Sequence, residues 1–292
     1  MRFHGVILKI GIIGGSGLYE IEGIQNLQEH SIGTPFGAPS DLLVSGELGG
    51  REVVFLPRHG KGHRMLPSEI PFKANIWSLK KLGVTHLLSV SAVGSLQERI
   101  MPGHIVFPDQ FIDRTFLRDA TFFGNGIVGH VQFGDPVCPS LLDTLAQCAE
   151  HRQVTHHRGG IYICMEGPAF STRAESNMYR SWNGAIIGMT NIQEAKLARE
   201  AEICFATIAL ATDYDCWHES EEEVNVEAIL EVMRQNIATS KLLLAEAVKR
   251  ISEVRACACA DALHHAILTP AENIPKQVRS DLAPIIGRYI PS

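Results

Sequence analysis

Short apolar runs without polar alternation recur along the chain and predict strands that are buried on both faces. The longest begins at Cys204, and two carboxylates, Asp213 and Asp215, follow its end at Thr212. Between such runs lie segments with apolar residues at helical spacing. The alternation of strands and helices predicts an α/β fold with one domain over residues 1–292.

Predicted strands cover a run from residue 9 into a glycine turn, and residues 42–44, 52–56, 86–90, 105–108, 162–165, 185–187 and 204–212. Predicted helices cover residues 71–82, 141–152, 174–182, 194–201, 226–250 and 277–289, and residues 111–115 and 122–134 are assigned to a long irregular loop.

Composition and charge narrow the class of protein. The net charge of −6 argues against a nucleic-acid partner, because nucleic-acid scaffolds present a basic surface. The apolar runs are too short for a membrane span, and residues 1–10 lack a signal-peptide core. The seven cysteines form no Cys-x-x-Cys pair, so we expect a reducing, cytoplasmic location. Cys257 and Cys259 are compatible with a strained redox pair or with two reduced thiols.

Three turns that follow predicted strands are rich in small or basic residues, and Thr190 follows a fourth predicted strand. Converging backbone N–H groups, hydroxyls and the planar fork of an arginine suit a phosphate. A structural glycine turn and a solvated basic loop remain alternatives. The glycine turn lacks the third glycine of the dinucleotide fingerprint, since Glu20 stands there, and it lacks the lysine of a nucleotide-triphosphate loop. The candidate anion-binding residues are Ser16, Arg58, His59, Ser91, Ala92 and Thr190.

A metal site among these turns is not expected. His59 and His63 are four residues apart, a spacing that suits two ligands on one face of a helix. Gly60 and Gly62 disfavour a helix there, and no acidic ligand is close in sequence.

Acidic residues, in contrast to the anion-binding turns, follow the longest apolar run. Asp213 and Asp215 stand where α/β sheets bind ligands, although alone they would also fit a helix cap or a loop turn. Phe170 follows another strand end and would either stack on a flat ring or pack in the core. A substrate with phosphate at one end and a protonatable heteroaromatic ring at the other satisfies both sets. Phosphorolysis of a purine nucleoside has that shape.

Several motifs resemble the trimeric purine nucleoside phosphorylase family, in particular its members that cleave 5′-methylthioadenosine. The resemblance extends from about Lys9 to residue 226. It implies a central mixed β-sheet partly closed into a barrel and flanked by helices, a homotrimer, no metal, and no cofactor beyond inorganic phosphate as co-substrate. The motifs are Gly11-Ile12-Ile13-Gly14-Gly15-Ser16-Gly17-Leu18, Thr34-Pro35-Phe36-Gly37, Arg58-His59-Gly60, Ala74-Asn75-Ile76-Trp77, Gln110-Phe111-Ile112-Asp113-Arg114-Thr115, Glu166-Gly167-Pro168, Ser171-Thr172-Arg173-Ala174-Glu175-Ser176 and Thr212-Asp213-Tyr214-Asp215-Cys216-Trp217.

The resemblance also implies a role for each candidate residue. Phosphate would be held by Ser16, Arg58, His59, Ser91, Ala92 and Thr190. Met189 would lie against the ribose and Phe170 against the adenine, while Asp213 would hydrogen-bond purine N7 and the 6-amino group with Tyr214 and Asp215 nearby. Ser171 and Val226 would tune specificity, and His130 would reach the 5′ pocket of a neighbouring subunit. Serine at positions 16 and 91 replaces a threonine that is common in the family.

The resemblance also implies that Asp213 selects among substrates. A carboxylate accepts a hydrogen bond from a 6-amino group, whereas family members that handle 6-oxopurines have asparagine at this position. The resemblance therefore implies reversible phosphorolysis of S-methyl-5′-thioadenosine to adenine and 5-methylthioribose 1-phosphate, a reaction of purine and methionine salvage. Alternatives are a 6-oxopurine nucleoside or methylthioinosine phosphorylase, a nicotinamide-dependent oxidoreductase, and a non-catalytic purine-binding module.

Overall fold

The computed structural model describes residues 8–15, 21, 23–218 and 226–291, with only the backbone of residues 226–230. In these stretches eleven strands form one mixed sheet, which seven α-helices flank. The strands are β1 (Ile10–Gly14), β2 (Gln25–His30), β3 (Leu43–Leu48), β4 (Arg51–Pro57), β5 (His86–Ser95), β6 (Ile105–Phe107), β7 (Gln110–Arg114), β8 (His156–Arg158), β9 (Ile161–Met165), β10 (Gly184–Gly188) and β11 (Cys204–Tyr214). The helices are α1 (Phe72–Lys81), α2 (Pro139–His151), α3 (Arg173–Ser181), α4 (Ile192–Glu200), α5 (Val226–Arg250), α6 (Lys276–Asp281) and α7 (Ala283–Ile286).

Strand β5 is the branch point of the sheet. Along one edge it pairs in parallel with β11 over its whole length. Its other edge is shared: β1 pairs in parallel with its first four residues, and β10 pairs antiparallel with its last two. Among the described residues no strand pairs with this edge between Ser89 and Gly94. The sheet therefore forks at β5 and leaves residues 90–93 open on one edge.

Both faces of the central strands are buried, which explains why their sequences lack polar alternation. Ile12 and Leu88 face α2 and α5 on one side of the sheet. Their neighbours Ile13 and Leu87 face α1, α4 and α7 on the other. Since successive side chains of a strand point to opposite faces, a strand covered on both sides needs apolar residues at every position.

The C-terminal segment folds back over the core. The single helix expected over residues 277–289 was wrong: the structure has two short helices, α6 and α7. Pro284 lies in the first turn of α7, where proline is tolerated but could not continue a preceding helix. Ile285 and Ile286 are buried, and Trp77 Nε1 of α1 donates to the carbonyl oxygen of Asp281 (2.8 Å). None of the described helices combines the length and apolarity needed to cross a membrane.

One expected strand is longer than predicted, and part of one expected loop was assigned wrongly. The strand expected over residues 86–90 continues to Ser95, because β11 pairs with Ser91 and its successors as well. Part of the expected loop over residues 111–115 is strand β7, which pairs in parallel with β9 from Gln110 to Arg114. In both cases the partner strand supplies hydrogen bonds that the local sequence does not reveal.

Candidate active site

The fork at β5 brings together residues from distant parts of the chain. Arg58 follows β4, and its backbone N–H donates to the carbonyl oxygen of Gly14 at the end of β1 (2.9 Å). Strand β10 runs antiparallel to β5, so the residues after it lie beside the open edge. Thr190 Oγ1 lies 3.5 Å from Ser91 Oγ on β5. Strand β11 carries Asp213 to Gly94 at the far end of the gap.

A small group of hydroxyls lies at the open edge of β5. Ser91 and Thr190 are buried, and the hydroxyl of Tyr162 lies 3.3 Å from Ser91 Oγ. Burial raises the pKa of Tyr162, so its hydroxyl stays neutral and can donate. Ala92, the next residue of β5, is exposed. Because hydroxyls rotate to suit a partner, this group can donate to an anion in the gap.

Arg58 is held by a carboxylate that the sequence analysis did not foresee. Both Arg58 and Glu194 of α4 are almost fully buried, and Arg58 Nε donates to Glu194 Oε1 (2.5 Å). Arg58 Nη2 donates to Glu194 Oε2 (3.1 Å) and to Ser89 Oγ (2.6 Å), and Nη1 donates to the carbonyl oxygen of Val90 (2.9 Å). The Nε and Nη2 groups of Arg58 therefore form a bidentate pair with Glu194. This differs from the bidentate phosphate contact expected from sequence. The pairing fixes the position of Arg58 beside the open edge.

His59 is neutral over most of the ordinary pH range. Burial, aided by the positive charge of Arg58, lowers the pKa of His59 to about 4. Its Nδ1 lies 2.9 Å from the carbonyl oxygen of Met65, which can only accept, so Nδ1 carries the proton. Nε2 is then an acceptor. If His59 binds phosphate, as the resemblance implies, this tautomer does so by accepting a hydrogen bond from a P–OH group.

Two carboxylates lie at the other end of the gap. Asp213 is half-buried and accepts a hydrogen bond from Thr212 Oγ1 (2.6 Å). Asp215 is buried, and its Oδ2 has no hydrogen-bond partner among the described residues. A Cβ atom on Gly94 would lie 3.2 Å from Asp213 Oδ1 and 3.6 Å from Asp215 Cβ. The absence of a side chain at Gly94 thus gives both acids their space.

Tyr214 lies between these acids in sequence but is engaged elsewhere. Its hydroxyl donates to the carbonyl oxygen of Glu98 (3.1 Å), and its ring stacks on His218 with centroids 4.4 Å apart. Alternation along β11 directs its side chain to the face opposite Asp213. The structure therefore does not bring the Tyr214 ring to the acidic end of the gap.

The loop after β9 lies next to the acidic end. The thiol of Cys216 donates to the carbonyl oxygen of Ser171 (3.3 Å), which joins this loop to the segment after β11. Met189 packs over Gly167, since a Cβ there would lie 2.6 Å from Met189 Sδ. Phe170 is 81% exposed, so it is not a core residue. Its ring is available to cover a ligand or to meet another surface.

A buried ion pair anchors this loop, and sequence analysis missed it. Arg118 Nε donates to Glu166 Oε1 (2.8 Å), and Arg118 Nη1 donates to the carbonyl oxygen of Met189 (2.5 Å). Burial raises the pKa of Glu166, but the backbone N–H of Phe116 and the charge of Arg118 outweigh it and lower the pKa overall. Only the motif Glu166-Gly167-Pro168 had drawn attention to this position. Its partner is 48 residues away in sequence.

The structure does not describe the side chains of two expected site residues, and it shows a third on the surface. Ser16 lies outside the described residues. Val226 is the first residue of α5, and its side chain lies outside the described part. His130 is exposed, and its backbone N–H donates to the carbonyl oxygen of Ala266 (2.9 Å).

The chain matches known proteins over most of its length. Residues 9–249 match the family model of the phosphorylase superfamily. An S-methyl-5′-thioadenosine phosphorylase of Geobacter sulfurreducens is 60% identical over 282 residues, which cover 96% of this chain and 99% of the relative.

Solved structures match the fold as well. A methylthioadenosine phosphorylase from an antarctic soil metagenomic library is 46% identical with a TM-score of 0.92, over 96% of this chain and 99% of that one. A variant of adenosine/methylthioadenosine phosphorylase from Schistosoma mansoni, in complex with methylthioadenosine, is 38% identical with a TM-score of 0.77, over 82% and 90% of the two chains. The mixed sheet with flanking helices, its forked edge and these matches agree: the chain belongs to the phosphorylase superfamily.

Proposed function

We propose that the chain catalyses reversible phosphorolysis of S-methyl-5′-thioadenosine, giving adenine and 5-methylthioribose 1-phosphate. The observation that carries the proposal is the gap at β5, with hydroxyls and Arg58 at one end and two carboxylates at the other. The relatives named for this substrate support the choice of nucleoside. The whole chain acts as one catalytic domain in the cytoplasm, with inorganic phosphate as co-substrate and without a resident cofactor in the active site.

Phosphate binds at the hydroxyl end of the gap. The hydroxyls of Ser91 and Thr190 donate to its oxygens, and the charge of Arg58 stabilises the anion. His59 Nε2 accepts from the P–OH group that phosphate carries at neutral pH, which follows from the tautomer set by Met65. The glycine turn with Ser16 and the backbone at Ala92 supply the remaining phosphate-binding groups.

The purine binds at the acidic end. A phosphate oxygen attacks the ribose C1′, the C1′–N9 bond breaks, and its electron pair goes to the base. In this step Asp213 starts as the protonated acid: its carboxyl proton goes to N7 and neutralises the charge that develops on the base, and the carboxylate left behind accepts a hydrogen bond from adenine. General acid catalysis of this kind is typically worth about 100- to 10,000-fold. Asp215 binds the base beside Asp213, since its Oδ2 has no hydrogen-bond partner among the described residues and can accept one further N–H. Phe170 covers the adenine and Met189 the ribose.

The 5′ end of the nucleoside lies towards a neighbouring subunit of a homotrimer, where Val226, Ser171 and the neighbour's copy of His130 shape the pocket. Three large apolar side chains near the site are more than two-thirds exposed: Phe116, Leu117 and Phe170. Glu166 Oε2 binds the backbone N–H groups of Phe116 and Leu117, so all three belong to one surface around the loop after β9. Analytical ultracentrifugation tests the trimer, and a purely monomeric chain would contradict this part of the proposal.

The test of function is adenine release from S-methyl-5′-thioadenosine with and without phosphate. We expect release only with phosphate, and a loss of about 100-fold or more in kcat/KM for Asp213→Asn. The matched control is Asp143→Asn, since Asp143 is exposed on α2 and its one ion-pair partner among the described residues is Arg158. Phosphate-independent release would indicate a hydrolase, binding without release would indicate a non-catalytic module, and full activity of Asp213→Asn would exclude the assigned proton donor.

A further inference from the structure

Four cysteines converge at the end of β11 that lies away from the active site. The Sγ atoms of Cys138, Cys204, Cys257 and Cys259 all lie within 4.8 Å of one another. The chain supplies them from three places: the residue before α2, the first residue of β11, and the segment after α5. All but Cys257 are buried, and Cys257 is half-buried. All seven cysteines lie in the described part of the chain and carry free thiols.

The sulfur positions fit one tetrahedral metal ion. Four thiolates at about 2.3 Å from zinc place their sulfurs about 3.8 Å from one another. The sulfurs of Cys204 and Cys257 are 3.3 Å apart, and no pair exceeds 4.8 Å. A disulfide needs a separation of about 2.05 Å and joins only two sulfurs. Buried thiols can also act as small hydrophobes, but that role requires no convergence of four sulfurs on one point.

One member of the cluster begins a helix, and an arginine is close in sequence to another. Cys138 is the N-cap residue of α2, where the backbone N–H groups of a 13-residue helix favour negative charge. Arg255 is two residues from Cys257 in the chain. Its Nε is buried and has no hydrogen-bond partner among the described residues. A zinc ion with four thiolates carries a charge of about −2, which a neighbouring arginine would partly offset.

We propose that Cys138, Cys204, Cys257 and Cys259 together bind one Zn²⁺ ion as a structural site. Each thiol gives up its proton as its Zn–S bond forms, so binding releases at most four protons and involves no oxidation. Four protein ligands leave no open position for substrate, as is typical of structural zinc. Asp213 lies nine residues along β11 from Cys204, or roughly 30 Å, so the metal has no part in phosphorolysis.

The metal ion would join the C-terminal segment to the sheet. Cys257 and Cys259 begin the segment that covers the core with Leu263 and Ile286 and that binds the backbone of His130. Cys138 and Cys204 already belong to the body of the fold, where the backbone N–H of Cys138 donates to the carbonyl oxygen of Phe205 (2.8 Å). Zinc bound to all four would therefore hold the end of α5 and the covering segment in place.

Metal content of the full-length protein tests the proposal directly. We expect one zinc per chain by inductively coupled plasma mass spectrometry after purification under reducing conditions. Replacement by Co²⁺ should give the intense visible bands of a tetrahedral tetrathiolate site. The proposal would be overturned if the reduced chain held no zinc after reconstitution, or held iron instead. It would also be overturned by an intact mass that is lower by two hydrogens for each disulfide bond.

A pair of variants locates the site. Cys257→Ala should lose the zinc, whereas Cys148→Ala, a buried cysteine of α2 outside the cluster, should retain one equivalent. A strong chelator should lower the thermal midpoint of the wild type and of Cys148→Ala and leave that of Cys257→Ala unchanged. Equal zinc content in both variants would refute the assigned ligands, and the cobalt spectrum of the wild type decides the matter even if Cys257→Ala folds poorly.

Discussion

Neutralising Glu194 should make the protein depend on phosphate for its stability. In the wild type, Arg58 Nη2 and Ser89 Oγ both donate to Glu194 Oε2. In Glu194→Gln this carboxylate becomes an amide, whose N–H₂ group would face the same two donors. Arg58 is 2% exposed, so its positive charge would remain buried without a counter-charge.

The magnitude follows from the cost of breaking a buried ion pair. Removing one partner typically destabilises a protein by about 3–5 kcal/mol, because an uncompensated charge stays in the interior. At about 2 °C for each kcal/mol in a chain of this size, the thermal midpoint should fall by roughly 6–10 °C. Phosphate bound beside Arg58 would restore a counter-charge, and at 100 times its Kd a ligand adds about 2.7 kcal/mol.

Thermal unfolding with and without phosphate measures both effects. We expect phosphate to raise the midpoint of Glu194→Gln more than that of the wild type. Asp143→Asn serves as control, since its exposed pair with Arg158 should contribute no more than about 1 kcal/mol. A variant as stable as the wild type, or an equal response to phosphate in both, would refute the assignment of Arg58 to the phosphate end and of Glu194 as its counter-charge.

Two further perturbations test the acidic end and His59. Gly94→Ala should lower kcat/KM about 3- to 10-fold with little change in thermal midpoint. The added Cβ would lie 3.2 Å from Asp213 Oδ1 and displace it, and a displacement of even ~1 Å can lower the rate ~100-fold. Gly33→Ala, which meets nothing within 4 Å, should keep full activity, and an unchanged kcat/KM in Gly94→Ala would contradict the assigned geometry. Folded His59 has a pKa of about 4 against 6.5 for the ordinary group, so between these values the unfolded chain binds the extra proton and stability falls as pH falls. Midpoints measured from pH 7 to pH 4 should therefore decline less in His59→Gln than in the wild type, and parallel curves would contradict the shift.

The sequence predicts the central strands well and the edge strands poorly. Strands β1, β5 and β11 are covered on both faces, so their apolar runs stand out. Strand β2 is exposed along its length, and β8 reads His-His-Arg, so neither carries a hydrophobic pattern. Their conformation comes from pairing with β3 and β6, which is information that lies elsewhere in the chain.

The same division holds for the sites. Residues at the ends of predicted strands, such as Ser91 and Asp213, could be proposed because the carboxyl ends of parallel strands share one edge. Glu194 could not, because it lies 136 residues from Arg58 on a helix whose sequence gives no sign of a partner. The four-cysteine cluster was hidden for a similar reason: only Cys257 and Cys259 are close in sequence, and the fold alone brings Cys138 and Cys204 to them.

The open edge of β5 also fixes the distance between the two ends of the site. Ser91 at the phosphate end and Gly94 beneath the acids belong to one uninterrupted strand, three residues or about 10 Å apart. The spacing between the two ends of the substrate is therefore set by the rise of a single strand and not by loops. Deleting or inserting one residue between positions 91 and 94 would turn every following side chain to the other face. A change in length between Ser91 and Gly94 should therefore be more damaging than a change in side-chain size at the exposed Ala92.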